Sequence, residues 1–280
     1  MLDMRSVDKV IHMALEEDLG AGDITTMSTV PEDRRIHGRY IAKESGVLCG
    51  LPIAARVFQL LDPAVCFTAH GKDGDAVQKG DVIAEVEGPA RSVLIGERTG
   101  LNLMQRLSGI ATRTSEAVAA VAGTKARIAD TRKTTPGLRA LEKYAVRVGG
   151  GSNHRFNLAD GVLIKDNHIT AAGSITAAVQ AARALAPHTL KIEVEVENFA
   201  MLEEALAAGA DIIMLDNMGN EQMAEAVRRV AGHAIVEASG NMGDKDLKAV
   251  AETGVDLISI GALTHTIRAL DISLKFDRML

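Results

Sequence analysis

The stretch KIEVEVENFAMLEEALAAGADIIMLDNMGNEQMAEAVRRVAGHAIVEASGNMGDKDLKAVAETGVDLISIG (191–261) decides the fold. Four short runs rich in β-branched and apolar residues, KIEVEVE (191–197), DIIMLD (211–216), AIVEAS (234–239) and DLISIG (256–261), alternate with Ala-rich segments of helical spacing. Strands with so few polar positions, each followed by a helix, are parallel strands covered by their crossover helices. The last three runs end about 22 residues apart. Upstream, ARIAD (126–130) and GVLIK (161–165) extend the series to six. Equal spacing over several units favours a closed or nearly closed barrel over an open sheet, and six strands fall short of the eight of a full one. The expected fold is therefore an incomplete α/β barrel. Gly209, Gly232 and Gly254 follow helical segments, where a left-handed cap needs glycine.

The first part of the chain reads differently. Val7, Val10, Ile11, Ala14 and Leu15 make one face of an amphipathic helix that ends at Gly20. RRIHGRYIAKESGVLCG (34–50) is strand-like, and GKDGDAVQKGDVIAEVEG (71–88) alternates short strands with Gly–Asp turns, as a small antiparallel sheet does. SVLIGERTGLNLMQRLSGIAT (92–112) is helical. The expected division is an N-terminal α/β sandwich domain over 1–111 and a barrel over 112–265, with the tail 266–280 expected to pack back on the first.

Composition excludes several classes. Of 280 residues 47% are apolar and 24% charged, which is ordinary for a globular protein and unlike a disordered chain. The net charge of −6, five Phe, two Tyr and no Trp offer neither the basic groove nor the stacking platforms of a single-strand nucleic-acid binder. No apolar run is long enough to span a bilayer. The N-terminus carries acids that a signal peptide lacks, and Cys49 and Cys66 are too few for a disulfide framework. A reducing cytoplasm is the expected setting.

Strand ends point to the chemistry. The active face of a β/α barrel is the rim at the strand C-termini. ARIAD runs into Arg132 and Lys133, GVLIK ends on Lys165, KIEVEVE carries Glu195, DIIMLD closes on Asp216, and the last two runs lead into Ser239-Gly240-Asn241 and Gly261-Ala262. Any one of these could be a helix cap or a solvated loop, but six together describe a site. Between Arg127 and Lys165 eight cations face three acids inside an acidic chain. A multiply charged anion is the natural ligand, because arginine grips carboxylate and phosphate through two parallel bonds. Glu195 and Asp216, ending neighbouring strands, suit a Mg²⁺ or sugar hydroxyls, with a structural pair satisfying loop amides as the alternative. The two glycine turns suit a phosphate held by backbone N–H groups. Gly149-Gly150-Gly151 is a weaker signal, a turn placing His154 and Arg155, and lacks the strand-to-helix context of a dinucleotide fingerprint.

The block DTRKTTPGLRALEKYAVRVGGGSNHRFNLADGVLIKDNHI (130–169) resembles the signature of the quinolinate phosphoribosyltransferase family. The resemblance extends to EEDLGAGDITT (16–26), ERTGLNLMQRLSGIAT (97–112), EVEVEN (193–198), LDN (215–217), EASGN (237–241) and ETGVDLISIGALTH (252–265). It implies an N-terminal α/β sandwich and a seven-stranded incomplete barrel, one strand more than the runs above. The implied reaction moves phosphoribose from 5-phosphoribosyl-1-pyrophosphate to the nitrogen of quinolinate, giving nicotinate mononucleotide, pyrophosphate and CO₂ for NAD synthesis. Arg132, His154, Arg155 and Lys165 match the family's quinolinate-binding residues. Arg98 matches the arginine that a partner subunit inserts in the family's dimer. Lys133 matches the lysine beside pyrophosphate, and Glu195 and Asp216 the acids for ribose and Mg²⁺. Lys133, Lys165, Glu195 and Asp216 are the implied catalytic set. Ser239, Gly240, Asn241, Gly261 and Ala262 match the 5′-phosphate turns. Asn241 departs from a family glycine, and asparagine is among the few residues that tolerate the left-handed conformation.

Three other readings differ in what they need. A Schiff-base aldolase would use Lys165 on a carbonyl, a related phosphoribosyltransferase would take another acceptor, and a sensor would bind phosphoribosyl compounds without turnover. Lys133, Glu195 and Asp216 together speak against the last.

Overall fold

The computed structural model describes residues 2–279, the last three in backbone only. In chain order the elements are α1 (Met4–Leu19), α2 (Ile24–Thr29), β1 (Arg35–Ala42), β2 (Gly46–Val47), α3 (Leu51–Leu61), β3 (Cys66–Ala69), β4 (Ala76–Val77), β5 (Val82–Pro89) and α4 (Ala90–Ala120). They continue with β6 (Arg127–Ala129), α5 (Arg139–Val148), β7 (Val162–Ile164), α6 (Asp166–Ala172), α7 (Ile175–Leu185), β8 (Ile192–Val196), α8 (Phe199–Ala207) and β9 (Ile212–Asp216). Then follow α9 (Asn220–Val230), β10 (Ile235–Ser239), a 3₁₀ turn (Met242–Asp244), α10 (Leu247–Glu252), β11 (Leu257–Ser259), α11 (Ala262–His265) and β12 (Ile272–Met279). The chain divides into two compact units. One holds the residues up to Ser115, Thr135–Gly150 and those from Ile267 on, and the other holds Glu116–Thr134 and Gly151–Thr266.

In the first unit α1 buries Val7, Val10, Ile11 and Leu15, the stripe read from the sequence, and stops where Gly20 takes a positive φ of 49°. An antiparallel sheet in the order β12-β1-β5-β3 buries Tyr40, Ile83 and Val86 against Phe58 of α3 and Leu101 and Met104 of α4. In the C-terminal segment β12 pairs antiparallel with β1, Ile272 opposite Ala42. The expected cut at 111/112 is corrected by residues 135–150, which group with this unit. Their reason is polar as well as apolar. Glu142 on α5 is fully buried and accepts from Arg106 Nη2 at 2.6 Å and from the Thr135 amide at 3.1 Å. Tyr144 donates its hydroxyl to Asp73 at 2.7 Å. Gly149 ends α5 where a Cβ would stand 2.4 Å from the Ala111 carbonyl oxygen.

The second unit is the barrel. All six predicted runs are strands, joined in parallel in the order β6-β11-β10-β9-β8-β7. Beyond β6 a single parallel bridge, Ala129 to Ser152, stands where one more strand would pair. Among the described residues no ladder joins that side to β7, so the barrel is incomplete. Because side chains alternate faces along a strand, residues two apart share the interior. From β7 to β11 the inner face of each strand therefore presents two steps: Leu163 then Lys165, Glu193 then Glu195, Met214 then Asp216, Glu237 then Ser239, and Ser259 then Gly261.

Candidate active site

A cavity of about 650 Å³ opens at the C-terminal ends of these strands, within the size range of small-ligand sites. Four cations line it: Arg132 and Lys133 after β6, Arg155 in the segment following Ser152, and Lys165 just past β7. Lys133 is tied down through its backbone, whose carbonyl accepts from Thr264 Oγ1 at 2.8 Å. Its stem lies over Gly261, where a Cβ would come within 2.9 Å of Lys133 Cδ. Arg155 donates from Nη1 to the Gly161 carbonyl at 3.0 Å. Burial, and then the neighbouring Arg132, push its guanidinium below the usual arginine range.

The acids stand on the two strands that follow β7 in the sheet, Glu195 on β8 and Asp216 on β9. Glu195 Oε2 accepts from Lys165 Nζ at 2.5 Å, so the two oppositely charged side chains of this rim meet each other. Asp216 accepts from its neighbour Asn217 at 2.8 Å. As a donor set, two carboxylates with oxygens not used in these bonds suit Mg²⁺, which takes one or two carboxylates with substrate phosphate oxygens and water. Beyond β10, Gly240 has φ 93° and Asn241 φ 52°. The expectation that Asn241 would tolerate the left-handed region holds. Gly240 is required on a second ground, since a Cβ there would lie 2.3 Å from Asn217 Oδ1. Ser239, Gly261 and Ala262 complete this edge of the cavity.

One level deeper lies a polar cluster that sequence reasoning did not assign. His154 Nε2 is 3.0 Å from Glu193 Oε2 and 3.8 Å from Glu237 Oε2. Both acids are buried, and Glu193 Oε1 and both Glu237 oxygens lack a well-formed hydrogen bond. Burial first, and then the charge of Glu193, raise the Glu237 carboxyl to about 7. The turn carrying His154 is itself pinned: the fully buried Asp130 accepts the His154 amide at 2.8 Å and Asn153 Nδ2 at 2.6 Å. The missed signal was an acid in mid-strand, two residues before each rim position, in KIEVEVE and AIVEAS. His265 and Asn217 also line the cavity without having been singled out.

Of the expected site residues, Arg132, Lys133, His154, Arg155, Lys165, Glu195, Asp216, Ser239, Gly240, Asn241, Gly261 and Ala262 all line this one cavity. Arg98 stands exposed on α4 in the first unit. Of the other four cations of the basic stretch, Arg127 begins β6, and Arg139, Lys143 and Arg147 belong to α5 and to the first unit, where Lys143 is buried.

A parallel barrel whose rim sets four cations against two acids and two small-residue turns defines an α/β-barrel enzyme for a multiply anionic substrate. Comparison with known proteins narrows the class. Residues 23–108 match the model of the quinolinate phosphoribosyl transferase N-terminal domain, and residues 110–275 that of its C-terminal domain. The chain is 49% identical over 266 residues to a probable nicotinate-nucleotide pyrophosphorylase [carboxylating] of Bacillus subtilis, covering 95% of this chain and 92% of that one. It is 46% identical to the nicotinate-nucleotide pyrophosphorylase [carboxylating] of Mycobacterium leprae, over 94% of this chain and 95% of the other. A solved structure of the nicotinate-nucleotide pyrophosphorylase from Francisella tularensis superposes with a TM-score of 0.94 at 42% identity, covering 99% and 98% of the two chains. The chain belongs to the quinolinate phosphoribosyltransferase family.

Proposed function

We infer that the rim cavity catalyses phosphoribosyl transfer from 5-phosphoribosyl-1-pyrophosphate to the ring nitrogen of quinolinate, the carboxylating nicotinate-nucleotide pyrophosphorylase reaction of NAD synthesis. The observation that carries this reading is the meeting of Arg132, Lys133, Arg155 and Lys165 with Glu195 and Asp216 in one cavity. Quinolinate bears two adjacent carboxylates, and the arginines and Lys165 hold them by charge-assisted bonds worth about 1.5–3 kcal/mol each. Nicotinate lacks the 2-carboxylate and leaves cations in the site unpaired, a mismatch that discriminates by as much as ~10⁴.

In the transfer step the pyridine nitrogen attacks C1′ of the ribose as the C1′–O bond to pyrophosphate breaks. Glu195 and Asp216 face the positive charge that develops on the ribose, and Lys133 takes the leaving group's negative charge. The same two acids are the residues that would hold Mg²⁺, which neutralises pyrophosphate when bound. The glycine turns at Gly240 and Gly261 receive the 5′-phosphate. Decarboxylation then returns the electron pair of the C2–carboxylate bond to the ring beside its cationic nitrogen, and C2 takes a proton from solvent. Lys165 has another use than Schiff-base formation, which needs a free amine. It is ion-paired with Glu195 and its side chain is 44% exposed.

The exposed position of Arg98 supports a homodimer in which a second copy supplies this arginine to the site. Exposed Met13, Ile24 and Met27 on the first two helices are apolar surface of the kind such a partner covers. No helix among the described residues is long and apolar enough to cross a membrane, and both cysteines are unpaired, which suits a cytoplasmic enzyme. The deciding assay incubates the protein with Mg²⁺, phosphoribosyl pyrophosphate and either quinolinate or nicotinate. CO₂ and mononucleotide from quinolinate alone are expected. Turnover of nicotinate, or none of either, overturns the reading.

A further inference from the structure

Arg155 reaches the cavity from residues 153–161, which lie between the bridge at Ser152 and the start of β7 and belong to no strand or helix. Packing does little for their shape. None of residues 156–160 is buried, and Phe156 and Leu158 stand 43% and 70% exposed. Such a segment would ordinarily be mobile, and a long side chain rooted in it would lose its aim. Two clasps, one inside the other, oppose this. The outer one is Arg155 itself, whose Nη1 donates to the Gly161 carbonyl at 3.0 Å. The inner one is Asp160, whose Oδ2 accepts the amides of Phe156 at 2.8 Å and Asn157 at 3.2 Å. Asn157 tightens the same turn by accepting the Ala159 amide on its Oδ1 at 2.7 Å.

Of the three acids in the basic stretch, Asp130 and Glu142 are buried, the one accepting the His154 amide and the other held by Arg106 and Thr135. Asp160 is the exposed one, and it spends its bonds on the turn that follows Arg155. We propose that Asp160 is a positioning residue for Arg155. A carboxylate oxygen that accepts two successive amides draws the chain back on itself. It thereby sets how far the Gly161 carbonyl lies from the root of the arginine, and Nη1 reaches that carbonyl only while the turn is closed. With Nη1 engaged, the other N–H groups of the planar fork have a fixed direction. A fixed direction is what a two-bond grip on a carboxylate requires. Opening the turn leaves Arg155 its charge and its reach but takes away its aim. This inference deepens the functional reading and rests on it for its kinetic arm only.

The first test reads the arginine without turnover. In full-length protein labelled with ¹⁵N-arginine, the Arg155 Nε signal is the one lost in Arg155→Lys. Its steady-state ¹H–¹⁵N NOE should report an ordered side chain in the wild type and in Asp160→Asn, which keeps an acceptor oxygen at the same place. In Asp160→Ala it should report a mobile one. An Arg155 signal that is as ordered in Asp160→Ala as in the wild type, or mobile in both, overturns the proposal. The second test is kinetic. Asp160→Ala should raise KM for quinolinate at least about 10-fold and leave KM for phosphoribosyl pyrophosphate within about 2-fold. Added to Arg155→Ala, it should lower kcat/KM by less than about 3-fold more. Asp160→Asn should stay within about 3-fold of the wild type. Losses that multiply, an equal rise in both KM values, or an asparagine variant no better than alanine overturn it. An inactive wild-type protein would count against the functional reading, while the NMR result would still judge the role of Asp160.

Discussion

The two ends of the same six strands treat charge in opposite ways. At the N-terminal ends each acid is neutralised where it stands. Asp211 Oδ2 accepts from Arg183 at 2.9 Å and from the Ile192 amide at 2.7 Å, and Asp256 pairs with Lys125 at 2.7 Å and accepts the Val236 amide at 2.9 Å. A depression of about 500 Å³ lies there too, but its two acids, Asp211 and Asp256, are spent on stitching neighbouring strands together. At the C-terminal ends Arg132, Lys133 and Arg155 crowd one side, and below them both Glu237 oxygens and one of Glu193 lack a well-formed hydrogen bond. Electrostatic order that serves the fold satisfies itself, whereas order that serves a ligand is left incomplete.

Substitutions at the two ends should separate these roles. Arg132→Ala is expected to lower kcat/KM for quinolinate by about 10²–10³, the worth of one or two charge-assisted bonds, while thermal unfolding stays within a degree or two. Lys125→Ala at the opposite end should leave kinetics unchanged. If the two variants behave alike, the contrast fails. The rim can be sharpened further by subunit mixing. Arg98→Ala and Lys165→Ala proteins, each inactive, should regain up to about a quarter of wild-type activity in randomly mixed dimers. No recovery after verified exchange would remove Arg98 from a shared site.

The deeper layer makes its own prediction. Glu237 holds its proton more tightly folded, to about 7, than at its ordinary value of 4.5. The folded state therefore binds more protons than the unfolded one across that interval, and stability falls as pH rises from 4.5 through 7. The loss amounts to about 3 kcal/mol. Denaturant unfolding of Glu237→Gln from pH 4.5 to 8 should show that decline flattened, and an unaltered slope would place the cost elsewhere. The smallest effect belongs to the well-satisfied end. Asp256→Ala should cost about 1–2 kcal/mol of stability, a backbone hydrogen bond plus an exposed ion pair, with kcat/KM intact.

How much of this was legible depends on what each residue does locally. The six strands were readable because their runs are apolar almost throughout and end on charges. The rim residues were readable because a cation or acid at a strand end has few structural excuses. Ser152 was not, since a one-residue bridge leaves no periodicity. Helix α5 was hidden for another reason. Its cations sit in the basic stretch and look like site residues, while burial of Glu142 and Lys143 commits the helix to the first unit. Glu193 and Glu237 escaped because an alternating strand places a polar residue outside by default, and only the barrel's closure turns that face inward.

The gap between Ser152 and β7 has one more consequence. A closed wall would fix every inward side chain by hydrogen-bond register, so a shift in one would drag its neighbours. Residues 153–161 span this seam outside any ladder, and they carry Arg155. Lengthening or shortening that span changes the reach of an anion-gripping side chain without breaking a strand pair. The seam is thus the natural place to retune which acceptor the barrel admits, with the phosphate turns on the far strands left untouched.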